Sequence, residues 1–323
     1  MPPLRLVFMG TADLARTTLQ ALLQAPDVVL AGVVSQPDKP RGRDLRQQPT
    51  PVKELALAHG LALLQPPRAR DPGFLEELRA LAPDLIVVAA YGQLLPQALL
   101  DLPPHGCLNV HTSLLPSYRG AAPIQWAILD GLEETGVTIM KMDAGLDTGP
   151  ILAQATTPIS TADNAQTLHD RLALLGAQLL VQTLPDWVAG RITPRPQPAS
   201  GVSHARKITK EDGLLEWRQP ARTLWNRVRG LTPWPGAHTF LPTQPKPTLL
   251  KIAAASVEPD LSGTPGEILR ADRDGFVVAC GQQALRLLEV QREGGRRLPA
   301  RDFLAGHPLN PGTRLGQANE LTS

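Results

Sequence analysis

"LRLVFMGTADLARTTLQALLQA", residues 4–25, decides the fold. Its first seven residues are apolar apart from Arg5 and end on Gly10, and the rest repeats Leu and Ala at helical spacing. A buried strand feeding a helix through a glycine opens an alternating strand–helix unit. The pattern then recurs. "VVLAGVVS" (28–35) predicts a second buried strand, and "TPVKELALAHG" (50–60) a helix with Thr50 as N-cap, Pro51 in its first turn and Gly60 as its stop. "DPGFLEELRALAP" (71–83) predicts a further helix, and "DLIVVAA" (84–90) and "GCLNVH" (106–111) two more strands. Short, wholly apolar strands separated by helices imply an α/β domain with a mostly parallel sheet covered on both faces. Ligands of such sheets bind beyond the carboxyl ends of the strands.

Further on, "PIQWAILDG" (123–131) reads as a helix, "TGVTIMKMD" (135–143) and "GPILAQATTPI" (149–159) as strands, and 164–190 as two helical stretches. "RITPRPQPASGVSHARK" (191–207) is rich in Pro and Ser, lacks periodicity, and is expected to be a linker. Beyond it come a helical portion ending near Gly230, a "TPWPG" turn, and short β-like runs punctuated by Gly, Asp and Pro. About five short strands there suit a small β-barrel of the OB type. The expected division is 1–190, a linker at 191–207, and 208–323.

Composition narrows the function classes. The longest uninterrupted apolar stretch, "LIVVAAY" at 85–91, is far below the ~20 residues of a membrane span. The N-terminus lacks a secretory leader pattern. A soluble cytoplasmic protein without a membrane partner is expected. The two cysteines, Cys107 and Cys280, lie far apart, and neither CxxC nor HExxH occurs, so neither a disulfide framework nor a metal site is expected. Residues 1–206 carry 16 Lys and Arg against 18 Asp and Glu, and residues 207–323 carry 16 against 12. That modest basic excess in the second part is compatible with a polyanionic partner and also with an ordinary solvated surface.

Three places could carry chemistry. In "NVHTSLLPSYRGAAPIQWAI" (109–128), Asn109 and His111 sit at a strand end and share a face, because alternate strand residues do. In "MKMDAGLDTGPIL" (140–152), Asp143 and Asp147 lie in a glycine-flanked turn. An aspartate in such a turn usually caps its own backbone. An amide, an imidazole and a carboxylate converging at strand ends instead make an acid–base and oxyanion constellation. The polar connection 35–53 carries Lys39, Arg41, Arg43 and Arg46 and is long enough to grip phosphate above the strand ends. "GTADLA" lacks G-x-G-x-x-G, Ser113 lacks the G-x-S-x-G elbow, and no Walker sequence occurs. Dinucleotide binding, serine hydrolysis and nucleotide phosphoryl transfer are disfavoured.

Together "FMGTADLA", "SQPDKPRGR", "VVAAYGQLLP", "NVHTSLLPSYRGAAPIQWAI", "ETGVTIMKMDAGLDTGPIL" and "TPWPG" resemble the methionyl-tRNA formyltransferase family. The resemblance implies a Rossmann-like catalytic domain followed by an OB-like tRNA-binding domain. The implied reaction passes the formyl group of 10-formyltetrahydrofolate to the amino group of methionine on initiator tRNA, by a monomer, for translation initiation. By motif, Asn109, His111 and Asp147 take the catalytic positions. Ser113, Leu114, Leu115 and Pro116 fall on the folate segment, with Ala90, Tyr91, Gly92 and Leu94 as another wall. Arg43, with Arg41 and Arg46, falls on the loop directed at the tRNA acceptor end. Thr112 departs from the Gly or Pro usual there, which bears on the placing of the folate loop.

The chemistry agrees with that resemblance. A neutral amine attacking a formyl carbon generates a tetrahedral oxyanion, which Asn109 and His111 can serve with N–H donors. An unperturbed α-amino group titrates near ~7.7–8.0 and esterification lowers that further, so much of it is already nucleophilic at neutral pH. Asp147 would hold the imidazole and pass the ammonium proton. A formyltransferase acting on a sugar nucleotide or a glycinamide nucleotide would share all three residues; a hydrolase that discards the formyl group would differ in how water reaches Asp147. An RNA-binding protein with an inactive α/β domain is the non-enzymatic alternative.

Overall fold

The computed structural model describes residues 2–41 and 46–321, and the described chain forms two compact units. The first comprises Met1–Pro123, Glu134–Pro158 and His169–Arg206; the second comprises Ile124–Glu133, Ile159–Leu168 and Lys207–Ser323.

The first unit is built on a seven-stranded sheet. Its strands are β1 (Leu4–Gly10), β2 (Val28–Val34), β3 (Leu63–Leu64), β4 (Leu85–Ala89), β5 (Cys107–His111), β6 (Glu134–Lys141) and β7 (Ile151–Pro158). They lie in the order β7-β6-β5-β4-β1-β2-β3. The five strands from β5 to β3 run parallel, while β6 is antiparallel to β5, and β7 to β6. The sheet is therefore mixed at one edge, where the last two strands form an antiparallel pair. Leu6, Val7, Phe8 and Met9 are all fully buried, so β1 is covered on both faces and cannot alternate polar with apolar residues. One face packs Val7, Met9, Ile86, Val88 and Cys107 against Phe74 and Leu78 of the helix Pro72–Ala80. Each such fully buried side chain contributes on the order of 1.5–3 kcal/mol. The helix Pro51–Ala58 starts as its sequence dictates: Thr50 accepts a hydrogen bond from the Lys53 amide, and proline occupies the first turn.

The stretch 164–190 is one helix, Ala165–Val188, where two were expected. Pro185 stands in its last turn, where its missing N–H forfeits only the one bond back to the Val181 carbonyl. The segment 191–206, expected to be part of a linker, runs with the first unit: Arg195 exchanges both backbone hydrogen bonds with Ile151. His204–Ala205 pairs in parallel with Arg119–Gly120.

In the second unit, β8 (Ala237–Leu241), β9 (Thr248–Glu258), β10 (Ile268–Asp272), β11 (Gly275–Ala279), β12 (Ala284–Arg292) and β13 (Arg297–Pro299) form an antiparallel sheet. The order is β8-β9-β12-β11-β10, with β13 on β12. Its two edges are bridged by residues 312–316: Phe240 and Gly316 exchange backbone bonds, and Leu315 and Ile268 bond to the chain opposite. These bonds tie the two edges together and shorten the stretch of edge left unpaired. Inside lie Leu250, Ile252, Phe276, Val278, Leu285 and Leu287, with Leu224 and Val228 from the helix Ala221–Gly230. This is the small barrel that the short β-like runs predicted. Among the described residues no helix is long and apolar enough to cross a membrane.

Candidate active site

β5 sits between β4 and β6, with Asn109 opposite Val88 on one side and Met140 on the other, and His111 opposite Thr138. Its carboxyl end delivers Asn109 and His111 to the edge of the sheet where ligands of such folds bind. The sequence reading placed these two on one face, and the structure brings Asp147 to them. Asn109 Nδ2 donates to Asp147 Oδ1 at 3.4 Å, and His111 Nδ1 stands 3.7 Å from Asp147 Oδ2. His111 is 6% exposed and the Asp147 side chain 13%, so the pair is largely shielded from bulk water.

Each ring nitrogen of His111 has a separate partner. Nε2 lies 3.0 Å from the Tyr118 carbonyl, and a carbonyl only accepts, so Nε2 carries a hydrogen and donates it there. The N–H read from the sequence as an oxyanion donor can therefore come only from Nδ1, the nitrogen that faces Asp147. At 3.7 Å the Nδ1–Asp147 approach is an electrostatic contact and not a hydrogen bond.

Asp147 occupies the left-handed region at φ 53°, which aspartate tolerates better than most residues. Its Oδ2 accepts a 2.8 Å bond from the Gly120 amide. Gly120 has φ 119°, and a Cβ there would lie 2.7 Å from the Ala205 carbonyl, so only glycine presents that amide to Asp147. Asp143, the other carboxylate of the turn, accepts from the Gly145 amide at 3.1 Å and from Thr148 Oγ1 at 2.7 Å. It shapes the turn, and Asp147 faces the imidazole.

The chain after His111 is tied down by buried polar groups. Thr138 Oγ1 donates to the Ser113 carbonyl at 2.7 Å and accepts from the Leu115 amide at 3.1 Å. Gln154 Nε2 donates to the Leu115 carbonyl and to Thr138 Oγ1, both at 3.0 Å. Ser113 Oγ donates to the Ser117 carbonyl, and Leu115 is buried with Met140 and Ile151. The loop after β4 is held through the Tyr91 carbonyl, which accepts from Thr11 Oγ1 and Gln36 Nε2. Tyr91 itself is 2% exposed, and burial pushes its phenol up to about 12. Ala90, Gly92 and Leu94 are exposed, Leu94 by 72%, while Leu114 and Pro116 are half-buried.

Arg41 and Arg46 pair across the antiparallel ribbon Lys39–Arg41/Arg46–Gln48. Arg43 lies outside the described residues. Sequence reasoning missed Tyr118, Gly120, Thr138, Gln154, Gln197 and Ser203. Gly120 had a signal, a glycine just after the polar motif; a lone Gln or Ser in an aperiodic Pro-rich stretch carries none.

Comparison with known proteins fits this architecture. The family model for formyl transferase matches residues 4–184, and the model for the formyl transferase C-terminal domain matches residues 207–308. The chain is 50% identical over 317 residues to a methionyl-tRNA formyltransferase of Citrifermentans bemidjiense, covering 98% of each chain. It superposes on HypX from Aquifex aeolicus, solved with tetrahydrofolic acid, with a TM-score of 0.62 at 18% identity. That match covers 93% of this chain but spans only 46% of the HypX chain. It also superposes on an N-formyltransferase from Helicobacter canadensis, solved with folinic acid and dTDP-3-aminofucose, with a TM-score of 0.64 at 17% identity. There the match covers 88% of this chain and 99% of that one; at such identities both likenesses speak for the fold alone. A relative identical at half its positions, from one end to the other, fixes what the fold alone leaves open: the chain belongs to the methionyl-tRNA formyltransferase family of formyl transferases.

Proposed function

We propose that this enzyme transfers the formyl group of 10-formyltetrahydrofolate to the amino group of methionyl-initiator-tRNA, with Asn109, His111 and Asp147 as its catalytic residues. The observation that carries the reading is the meeting of the amide, the imidazole and the carboxylate at the carboxyl edge of the sheet, with Nδ1 of His111 turned toward Asp147.

The residues beside the triad fit a folate. Loops 90–94 and 112–116 leave neighbouring parallel strands, and Leu94 offers an exposed aliphatic surface where the backbone of Ala90 and Gly92 is also accessible. Ala90, Gly92, Leu94, Leu114 and Pro116 would line the ring-binding wall. Ser113, Leu115 and Tyr91, whose side chains are turned inward, would hold its shape from behind. When bound, the folate supplies a formyl group on a nitrogen that can leave.

The protein's part is then binding, orientation and proton handling. Asn109 Nδ2 and, when protonated, His111 Nδ1 donate to the formyl oxygen as negative charge develops there. Asp147 would accept the proton lost by the attacking amine, directly or through one water, and that proton would pass to the folate nitrogen as its bond to the formyl carbon breaks. Gly120 and Tyr118 keep the carboxylate and the ring in register for this. Arg41, Arg43 and Arg46 serve the tRNA acceptor end, as does the basic second unit. The same reading makes the enzyme a cytoplasmic monomer.

Acceptor choice tests the proposal. With labelled 10-formyltetrahydrofolate, charged initiator tRNA is expected to be formylated, elongator methionyl-tRNA poorly, and amino-sugar nucleotides or glycinamide ribonucleotide not at all. Efficient formylation of a small nucleotide acceptor, or equal use of both tRNAs, would overturn it.

A further inference from the structure

We propose that Gln197, in the aperiodic segment after the long helix, is a positioning residue that holds Asp147 in its working conformation. The proposal rests on Asp147 acting in formyl transfer, as set out above.

Gln197 Nε2 donates to two carbonyls of the catalytic turn, those of Asp147 and Gly149, each at 2.8 Å. Its Oε1 accepts from Arg119 Nε at 3.1 Å and Arg119 Nη2 at 2.6 Å. A primary amide has two N–H donors and two acceptor lone pairs, and here all four are engaged. No other side chain reproduces that set. Glutamate cannot donate to the carbonyls, lysine cannot accept from the guanidinium, and asparagine is one methylene too short to span both.

The contacts close a ring around the carboxylate. Gln197 grips the main chain of Asp147 and the side chain of Arg119, and the next residue, Gly120, donates its amide to Asp147 Oδ2. Asp147 is at φ 53°, a left-handed conformation that costs more than the extended or helical ones and that its hydrogen bonds help to hold. Two of the bonds that hold the turn come from Gln197. The same segment also reaches the imidazole. Ser203 Oγ accepts from the Tyr118 amide at 2.9 Å, and the Tyr118 carbonyl is the acceptor for His111 Nε2. Gln197 and Ser203 thus brace both members of the pair, Asp147 directly and His111 through Tyr118.

The test compares Q197E, Q197A and D147N with wild type in the full chain, measuring kcat, KM for 10-formyltetrahydrofolate and the melting temperature. Q197E retains the Arg119 acceptor and inverts only the contacts to the turn; Q197A removes them without adding charge and serves if Q197E fails to fold. The expected result is a kcat about tenfold or more below wild type, with KM within about twofold and melting nearly unchanged, because a small displacement of a reacting group costs rate and not ground-state affinity. A kcat within twofold of wild type in the folded variants would overturn the proposal. So would a fall in kcat matched by a rise in KM and a fall in melting temperature, the pattern of general structural damage. D147N separates the two levels: full activity in D147N would sink the catalytic reading itself. An inactive D147N beside an unaffected Q197A would sink only the role of Gln197.

Discussion

His111 Nδ1 faces Asp147 Oδ2 across 3.7 Å, too far for a hydrogen bond and within the reach of an ion pair. Turning the ring over would forfeit the bond from its other nitrogen to the Tyr118 carbonyl. The gap leaves Nδ1 able to serve an incoming oxygen with the Asp147 carboxylate close beside it. Removing one of the two proposed donors, as in N109A or H111A, is expected to lower kcat by ~10²–10³. Single-turnover formylation at saturating donor is the measurement. Near wild-type rates in either would contradict the assignment.

Gly120 supplies the amide that anchors Asp147 from a backbone conformation only glycine adopts with ease. G120A sets a methyl 2.7 Å from the Ala205 carbonyl and forces a residue with a side chain to φ 119°. The expected cost is ~1–3 kcal/mol in unfolding free energy, with a drop in kcat. A fully active and equally stable G120A would show that the close approach is not required.

How far the sequence carries depends on whether a feature is local. The strand–helix alternation, the Thr50 cap and the shared face of Asn109 and His111 were all legible, because periodicity and capping act within a few residues. The reversal of β6 against the parallel strands was not, since apolar runs look alike in either direction. Asp147 could be singled out, but its partner Gly120 and its brace Gln197 lie 27 and 50 residues away and meet it only after folding. The tautomer of His111 also depends on a tertiary contact, the Tyr118 carbonyl at φ 60°.

Thr138 is the hub of the buried bonds that shape loop 113–115. T138V keeps its volume but strands the Ser113 carbonyl, the Leu115 amide and one Gln154 donor. The expectation is a loss of ~1–3 kcal/mol in stability, read by denaturant unfolding. KM for the formyl donor should rise more than kcat falls, since the loop carries part of the proposed folate wall. A KM equal to wild type would dissociate Thr138 from that wall.

Burial, with Lys251 opposite on β9 adding to it, lowers the His238 imidazole below its ordinary 6.5. Its folded form then favours the neutral ring, and the unfolded chain binds the extra proton more readily. The stabilisation is complete above about pH 6.5 and is lost as the pH falls below that value. H238Q is expected to flatten the decline in unfolding free energy between roughly pH 7 and 5. An unchanged slope would rule out this contribution.

Both cysteines are buried, and burial pushes the thiols of Cys107 and Cys280 up to about 12. Neither should react with iodoacetamide in the native protein at pH 8, and both should react once unfolded. Rapid native alkylation of Cys107 would mean that the β5 side of the core opens readily.

The most direct measurement is single-turnover transfer of labelled formyl from 10-formyltetrahydrofolate to charged initiator tRNA, by wild type and by D147N at equal concentration. Formyl-methionyl-tRNA should form rapidly with wild type, and at least ~10²-fold more slowly with D147N while donor binding persists. Equal rates for the two proteins, or no transfer by wild type, would contradict the account.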